Sequence, residues 1–389
     1  MITLCYEHLV DSTVGYPNQA RHRARPFTPE WRQFDQHWPR TVPLRLLMYT
    51  KNYNIVSVDN AFDCAWYPIG IGWFDFDYDY FANMSDRALS RVLQGQLRIL
   101  FYYHEGDNPE RIKYRLDKLA DRHRLPPHCY TFVSANSQAN RFNNFVYFPD
   151  HECFFRFVNR RQTPTTSTLT VPYKFTALNR LPKWWRASIV SDLQHQGLLV
   201  NSLVSFNPNS SAVDEHENDN PIEVDSVDGW RKRTTALMQS QLVCDQFDAG
   251  QQNDHHVVNT DLYTHSACSI VLETHFDVDQ SGGAFLTEKT FKPIKYGQPF
   301  VIAGGLGSLQ ALRDMGYRVF DDVVDNHYDT ISDNTQRYFA LRDTVASIAA
   351  NPNFYSQCRN DVLHNQQVFA QREHAPVNTL LEELECRLQ

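Results

Sequence analysis

The sequence predicts an α/β protein of two domains, each built on a parallel sheet, and three observations carry that prediction. The chain has 389 residues, more than one ordinary core supports at roughly 150 residues per domain. Short apolar runs alternate with segments of helical spacing, as in "LRILFYYHEGD", then "NPERIKYRLDKLADRHRL", then "HCYTFVSANS". Residues 159–171, "NRRQTPTTSTLTV", are poor in large apolar groups and rich in threonine, the composition of a linker. The domains are therefore expected over residues 1–165 and 172–389, with the last helix free to pack back on the first domain.

The elements follow in order. "TVPLRLLMYT" and "YNIVSVD" read as a helix or strand pair, and "DRALSRVLQGQ" reads as a helix. The strand, helix, strand succession from residue 97 to 137 is a β-α-β unit. Beyond the linker, "YKFTALNRLPKWWRASIVSDLQHQGLLVNSLVSFN" reads as strand, loop, helix and strand, with Gly197 stopping the helix. Residues 207–229 are acidic and nearly free of aromatics, so they read as an excursion that adds no core. "GWRKRTTALMQSQLVCDQFD" reads as a helix and "SACSIVLETHFD" as a strand. "GSLQALRDMGYRVFDD" predicts a helix capped by Ser308 and Gly316 that feeds a strand at Tyr317 to Phe320, and "VNTLLEELECRLQ" a final amphipathic helix.

Composition narrows the function classes. With 42% hydrophobic and 13% aromatic residues the chain is that of a folded protein, and its net charge of -8 opposes a main role in coating DNA or an anionic membrane. Basic clusters at Arg21, His22, Arg23 and Arg25, at Arg160 and Arg161, and at Arg231, Lys232 and Arg233 read as solvated faces. Eight cysteines lie far apart without a C-x-x-C pair, which suits reduced thiols in the cytoplasm. No 18-residue apolar stretch occurs, and "MITLCYEHLV" lacks the pattern of a signal peptide, so the expectation is a soluble cytoplasmic protein with no membrane insertion.

The stretch "FLTEKTFKPIKYGQPFVIAGG", residues 285–305, is the most informative. Thr287 suits an N-cap, whose hydroxyl accepts from backbone N–H groups two or three positions on. A helix start carries unpaired donors and partial positive charge, fit for phosphate, and Lys289 adds a full charge there. Glu288 suits a different partner: a carboxylate facing a ribose accepts from two hydroxyls. Gly297 ends the element and an apolar strand follows, while Pro293 is expected to distort the helix between them.

The run F-L-T-E-K, with Gly297 eight residues after Lys289, then a proline and an apolar strand ending in glycine, resembles the donor-binding motif of α-1,3-fucosyltransferase-like glycosyltransferases. The resemblance spans about residues 273 to 320. It implies the GT-B architecture of two Rossmann-like domains facing a cleft, with the motif in the C-terminal domain, Glu288 on the ribose and Lys289 on the diphosphate of a nucleotide-sugar. The first domain would then hold the acceptor.

Other residues fit that chemistry. Arg180 and Arg186 follow the first strand of the second domain, where guanidinium groups grip a diphosphate bidentately, with Lys183 as a weaker candidate. Asn179, Ser205 and Asn207 stand at strand ends, where a polar group either caps a loop or meets the nucleotide. Sugar transfer with inversion needs a carboxylate to take the acceptor proton. Glu105, directly after an apolar strand and beside a glycine, is the choice, with His104 and Asp107 next. Read as a strand, Asp75, Asp77 and Asp79 in "WFDFDYDYF" would share one face, as in an Asp-x-Asp metal site, but the interleaved aromatics fit an ordinary strand or a carbohydrate-facing loop better. His255, His256 and His265 lack zinc spacing. The sequence thus predicts an inverting, metal-independent transferase with no cofactor beyond its nucleotide-diphosphate sugar co-substrate, acting on a glycan or other hydroxyl acceptor. The rivals are a phage-type DNA glycosyltransferase acting on a hydroxylated base, which the net charge opposes, and a non-catalytic carbohydrate-binding protein.

Overall fold

A computed structural model describes residues 1–6, 46, 48–58, 65–71, 74–82, 84–160, 171–179, 183–206, 237, 242, 244 and 258–388. The chain forms two compact units: Met1–Phe157 together with Arg372–Gln389, and Val158–Gln371. Both are α/β, as the alternating pattern predicts, and every strand pairing within their two sheets is parallel.

Unit 1 has six strands: β1 (Ile2–Tyr6), β2 (Tyr53–Ser57), β3 (Ala65–Ile71), β4 (Leu97–Tyr103), β5 (Tyr130–Ser134) and β6 (Phe145–Tyr147), in the order β2-β1-β3-β4-β5-β6. Side chains alternate between the faces of a strand, and here both faces are buried. Tyr67, Ile99, Phe101 and Phe132 belong to one core cluster, which includes Ala88 and Val92 of α1 (Asp86–Leu93) and Ile112, Leu116 and Leu119 of α2 (Pro109–Arg122). Trp66, Leu100, Tyr102 and Val133 belong to the other, with Val377, Leu380, Leu381 and Leu384 of the last helix, Ala375–Leu388. That helix is reached through Arg372, which joins Arg156 of α3 (Asp150–Val158) on the fully buried Glu152 at 3.1 and 2.6 Å. A lone buried carboxylate is costly, so two guanidinium groups on Glu152 tie the returning segment to unit 1.

Unit 2 has four strands, β7 (Tyr173–Asn179), β8 (Ser202–Phe206), β9 (Ser266–Leu272) and β10 (Phe300–Ala303), in the order β10-β9-β7-β8. From β7 the chain passes through α4 (Trp184–His195) to β8 on one side, then returns to place β9 on the other. The order reverses between β7 and β9. In open parallel sheets the carboxyl ends at such a reversal form the crevice that takes ligands.

The expected helix of the 285–305 stretch is α5 (Glu288–Tyr296), with Thr287 at its N-cap. Pro293 does not end it. The proline forfeits one N–H, but the helix closes normally just beyond it, on Gly297 at φ +73° with Gln298 N donating to Pro293 O at 2.9 Å. Two expectations for the following segment fail. Ser308 does not cap α6 (Ser308–Asp314): its hydroxyl donates to Gly305 O at 2.6 Å, while Oδ2 of the distant Asp329 accepts from Leu309 N (2.9 Å) and Gln310 N (3.3 Å). Nor do Tyr317–Phe320 form a strand. The side chain of Asn365, in α8 (Arg359–Gln371, after α7, Asn334–Ala350), accepts from Arg318 N and donates to Arg318 O, taking the place of a neighbouring strand. The last helix, Ala375–Leu388, is α9. Among the described residues no helix is long and apolar enough to cross a membrane. The linker core at 161–170, the acidic excursion at 207–229, and the basic clusters at 21–25 and 231–233 lie outside the described residues.

Asp329 has a pH signature. Burial raises its carboxyl to about 6, against the opposing pull of the Leu309 and Gln310 N–H donors and of Arg313. An acid whose folded pKa lies above its unfolded value of 3.8 contributes stability that is fully present below about pH 4 and lost as pH rises through about 6. Asp329→Asn keeps an acceptor for the helix N-terminus but does not titrate. It is expected to flatten the stability profile between about pH 4 and 6 by at most about 3 kcal/mol, read from urea denaturation across that range.

Candidate functional site

The site in unit 2 grows from the carboxyl end of β9. Glu273, directly after the strand, has its carboxylate fully buried. Its Oε1 accepts from Thr287 N (2.9 Å) and Thr290 Oγ1 (2.6 Å), and its Oε2 from Thr287 Oγ1 (2.6 Å). Three hydrogen bonds to an ionised acceptor in a dry setting make a strong clamp, and this one sets the first turn of α5 against the end of β9. The Thr287 hydroxyl in turn accepts from Lys289 N (3.4 Å) and Lys289 Nζ (3.1 Å). Lys289 is part-exposed and Glu288 less so, with 3.5 Å between Nζ and Oε1. The end of β10 closes in beside them: a Cβ on Gly305 would lie 2.4 Å from the Gly283 carbonyl oxygen, so the glycine at 305 is dictated by close backbone approach.

From the β7 side come Asn179, Lys183 and Arg186. Arg186, buried in the first turn of α4, donates from Nη2 to Glu273 O at 2.7 Å. Burial pulls its guanidinium down to about 10 against the raising influence of Glu273 and then Glu288. Lys183 Nζ donates to Thr274 O at 2.5 Å and stands 5.1 Å from the centroid of the Trp185 ring. Asn179 is 2% exposed, and among the described residues neither its amide oxygen nor its amide nitrogen has a hydrogen-bond partner. A buried amide without partners costs about 1–3 kcal/mol for each lost hydrogen bond, an expense retained at sites that receive a ligand more readily than in plain cores.

The structure therefore brings Asn179, Lys183, Arg186, Thr287, Glu288 and Lys289 to the β7/β9 reversal. Ser205, in β8, has a local use: its Oγ accepts from Cys244 N at 3.0 Å. Arg180, Asn207, His255 and His256 lie outside the described residues, and His265 is exposed with Nδ1 3.0 Å from Asp261 O. Sequence reasoning missed Glu273 and His275 as site residues. The signal for Glu273 was its place as the first charged residue after an apolar strand. His275, two residues on, is held down to about 3 by burial and then by the neighbouring charges of Lys183 and Arg186, with Lys289 adding to them.

In unit 1, Glu105 follows β4, with Oε1 3.5 Å from Nε2 of the buried His104 and a side chain 28% exposed. Asp107 accepts a short hydrogen bond from the Tyr103 hydroxyl, which occupies it. Asn136 Nδ2 donates to Gly106 O at 2.8 Å and holds the turn. The period-2 strand expected through Asp75, Asp77 and Asp79 is absent, because the segment is a run of turns. Asp75 Oδ1 accepts from Asp77 N at 2.9 Å, and Asp79 accepts from Phe81 N and Ala82 N and stands 2.9 Å from His123 Nε2. These carboxylates fix turns, and among the described residues no group of three or more His, Cys, Asp or Glu is placed to hold a metal ion. A concavity of about 680 Å³ lies at the opposite, amino-terminal edge of this sheet, lined by Arg98, Lys113, His128, Tyr130 and Arg141 among others.

No protein-family model and no curated protein matches the chain. Solved structures do. A trehalose-6-phosphate synthase, studied for glycosyl transfer with retention, aligns at 10% identity over 98% of this chain and 93% of its own, with a TM-score of 0.45. An α,α-trehalose-phosphate synthase (UDP-forming) from Burkholderia vietnamiensis aligns at 11% identity over 87% of each chain, with a TM-score of 0.41. BGT of phage T4, in complex with its UDP-glucose substrate, aligns at 9% identity over the whole of both chains, with a TM-score of 0.35. Likeness of this degree decides nothing about chemistry, which rests on the residues above.

The Glu273 clamp is directly testable. Glu273→Gln puts an amide N–H₂ where a carboxylate oxygen accepts from a threonine hydroxyl, and it removes the charge. It is expected to destabilise unit 2 by about 1–3 kcal/mol in urea denaturation; an unchanged midpoint would contradict the clamp.

Proposed function

We propose that the chain is a GT-B-type glycosyltransferase that uses a nucleotide-diphosphate sugar. One observation carries the reading: at the strand-order reversal of unit 2, where β7 ends in the buried Asn179, the charges of Lys183, Arg186 and Lys289 act together on His275 after β9. Three cations around one crevice suit two linked phosphates, and the amide, which both donates and accepts, suits the polar remainder of a nucleotide. Glu288, adjacent to Lys289, supplies the acceptor that a ribose diol needs. Thr287 serves by holding the first turn of α5, so that the positive end of that helix and Lys289 face one ligand.

In the proposed reaction the acceptor hydroxyl attacks the anomeric carbon as the bond from that carbon to the diphosphate oxygen breaks. Glu105 takes the hydroxyl proton, and the departing diphosphate is stabilised by Lys289 and the two cations from the α4 side. This gives inversion without a metal ion. The fucosyltransferase-like motif at residues 285–305 is the basis for placing the donor in unit 2, and the acceptor is a glycan or another hydroxyl compound.

A thermal-shift panel of UDP-, GDP-, dTDP- and CMP-linked sugars tests the class and selects the donor. A nucleotide present at a hundred times its Kd stabilises by about 2.7 kcal/mol, whereas stabilisation by free glycans alone would identify a carbohydrate-binding protein. Lys289→Ala is expected to weaken nucleotide diphosphate binding roughly tenfold or more at unchanged thermal stability, and equal calorimetric affinity would remove Lys289 from the site. Glu105→Gln should abolish turnover while donor binding stays intact, and an active variant would move the base elsewhere.

A further inference from the structure

His275 plays no part in the reading above, yet it stands among that site's cations. Three ties bring them there. Lys183 Nζ is bonded to the carbonyl of Thr274, the residue before it, and Arg186 Nη2 to that of Glu273. Lys289 is carried on the first turn of α5, which the Glu273 carboxylate clamps to this stretch. The ring packs at 5.5 Å from that of Phe285, and among the described residues its buried Nδ1 has no hydrogen-bond partner. The side chain of Gln280 hydrogen-bonds to the ring. Lys183 from the turn before α4, Arg186 from α4 and Lys289 from α5 act on it as positive charges. Of the nearby carboxylates, Glu273 is spent on Thr287 and Thr290, and Glu288 acts on Arg186.

We infer that His275 is a further ligand to the phosphate groups of this site, engaging them as an imidazolium after taking up one proton from solvent. The inference rests on the reading of the site as a diphosphate seat. The physical reason is a reversal of sign. In the empty site burial disfavours the charged ring, the positive charges of Lys183, Arg186 and Lys289 repel it further, and its pKa is held down to about 3. A diphosphate bonded to Nδ1 brings at least two negative charges and a direct acceptor, which together offset the burial cost and the repulsion. Nδ1 then has an anionic oxygen to donate to, so its missing hydrogen bond is supplied by the ligand. The proton moves from solvent to the ring on binding and returns on release, so no bond to phosphorus forms or breaks. Binding by this site tightens as pH falls below the ordinary histidine range, a dependence that a lysine-and-arginine seat alone lacks.

The test is titration calorimetry of inorganic pyrophosphate at about pH 5.5 and about pH 7.5, each in buffers of differing ionisation enthalpy, on the wild type, His275→Gln and His275→Asn. Comparing proteins cancels the protonation of pyrophosphate itself. At the lower pH the wild type is expected to take up about one more proton per bound pyrophosphate than either variant. Its affinity advantage over them should grow roughly tenfold between the two pH values. As a measurement that needs no variant, P1,P2-dimethyl diphosphate, whose acidic groups stay ionised throughout this range, should bind the wild type with proton uptake. Pyrophosphate binding with equal uptake and a pH-independent ratio of affinities, or dimethyl diphosphate binding without uptake, would overturn this inference and leave the diphosphate seat standing. Failure of the wild type to bind either probe would overturn the seat itself and the inference with it.

Discussion

The buried carboxylate of Glu273 is the constraint on which the candidate site depends. It follows β9, continues the ladder through its N–H to Ala303 O, offers its carbonyl to Arg186 and gives both side-chain oxygens to the first turn of α5. One residue thereby joins the ends of β9 and β10 to α4 and α5. A charge in a dry place is stable only when it is hydrogen-bonded, so the threonines around the carboxylate hold defined positions, while Arg186 is held by the main-chain carbonyl. The orientation of Thr287, and through it of Lys289, follows from that requirement.

Around this anchor, unit 2 gathers positive charge. Arg186 and Lys183 each donate to a backbone carbonyl, and burial and then these charges hold the pKa of His275 down. Together with the partnerless amide of Asn179, the arrangement is electrostatically incomplete. Interiors that serve only to pack avoid such incompleteness, since each unmet polar group subtracts from a small net stability. A dianionic ligand would complete it.

Unit 1 is built differently. Its strands bury large aromatic and aliphatic groups on both faces, and one of those faces includes the chain's last helix, tethered through Arg372 to Glu152. The polar residues at the carboxyl end of β4 are the departure from that pattern: Glu105 remains part-exposed beside a buried histidine while Asp107 is held by Tyr103.

Much of the fold was legible in the residues, for reasons of range. β4, α2, β5, β7, α4, β8 and β9 were readable from apolar periodicity, and the Thr287 cap and Gly297 end of α5 from chemistry acting within three or four positions. β3 escaped because "AWYPIGI" contains Pro68 and Gly70, both poor strand formers, while tertiary burial on both faces overrides that preference. The strand expected at 317–320 and the cap expected from Ser308 failed because Asn365 and Asp329, distant in sequence, supply those hydrogen bonds instead. The aspartates at 75, 77 and 79 misled because period 2 reads the same in a strand and in successive turns.

The sequence by itself determined that this protein is an α/β chain of parallel strands and that a helix capped by Thr287 presents Lys289 at its start, because periodicity and capping are local. Only the tertiary structure decided that β9 lies beside β7, so that Asn179, Lys183, Arg186, Glu273 and His275 meet α5 at a single strand-order reversal. Strand order is set by which buried faces can be covered together. That is a property of the whole unit, which no short run of residues encodes.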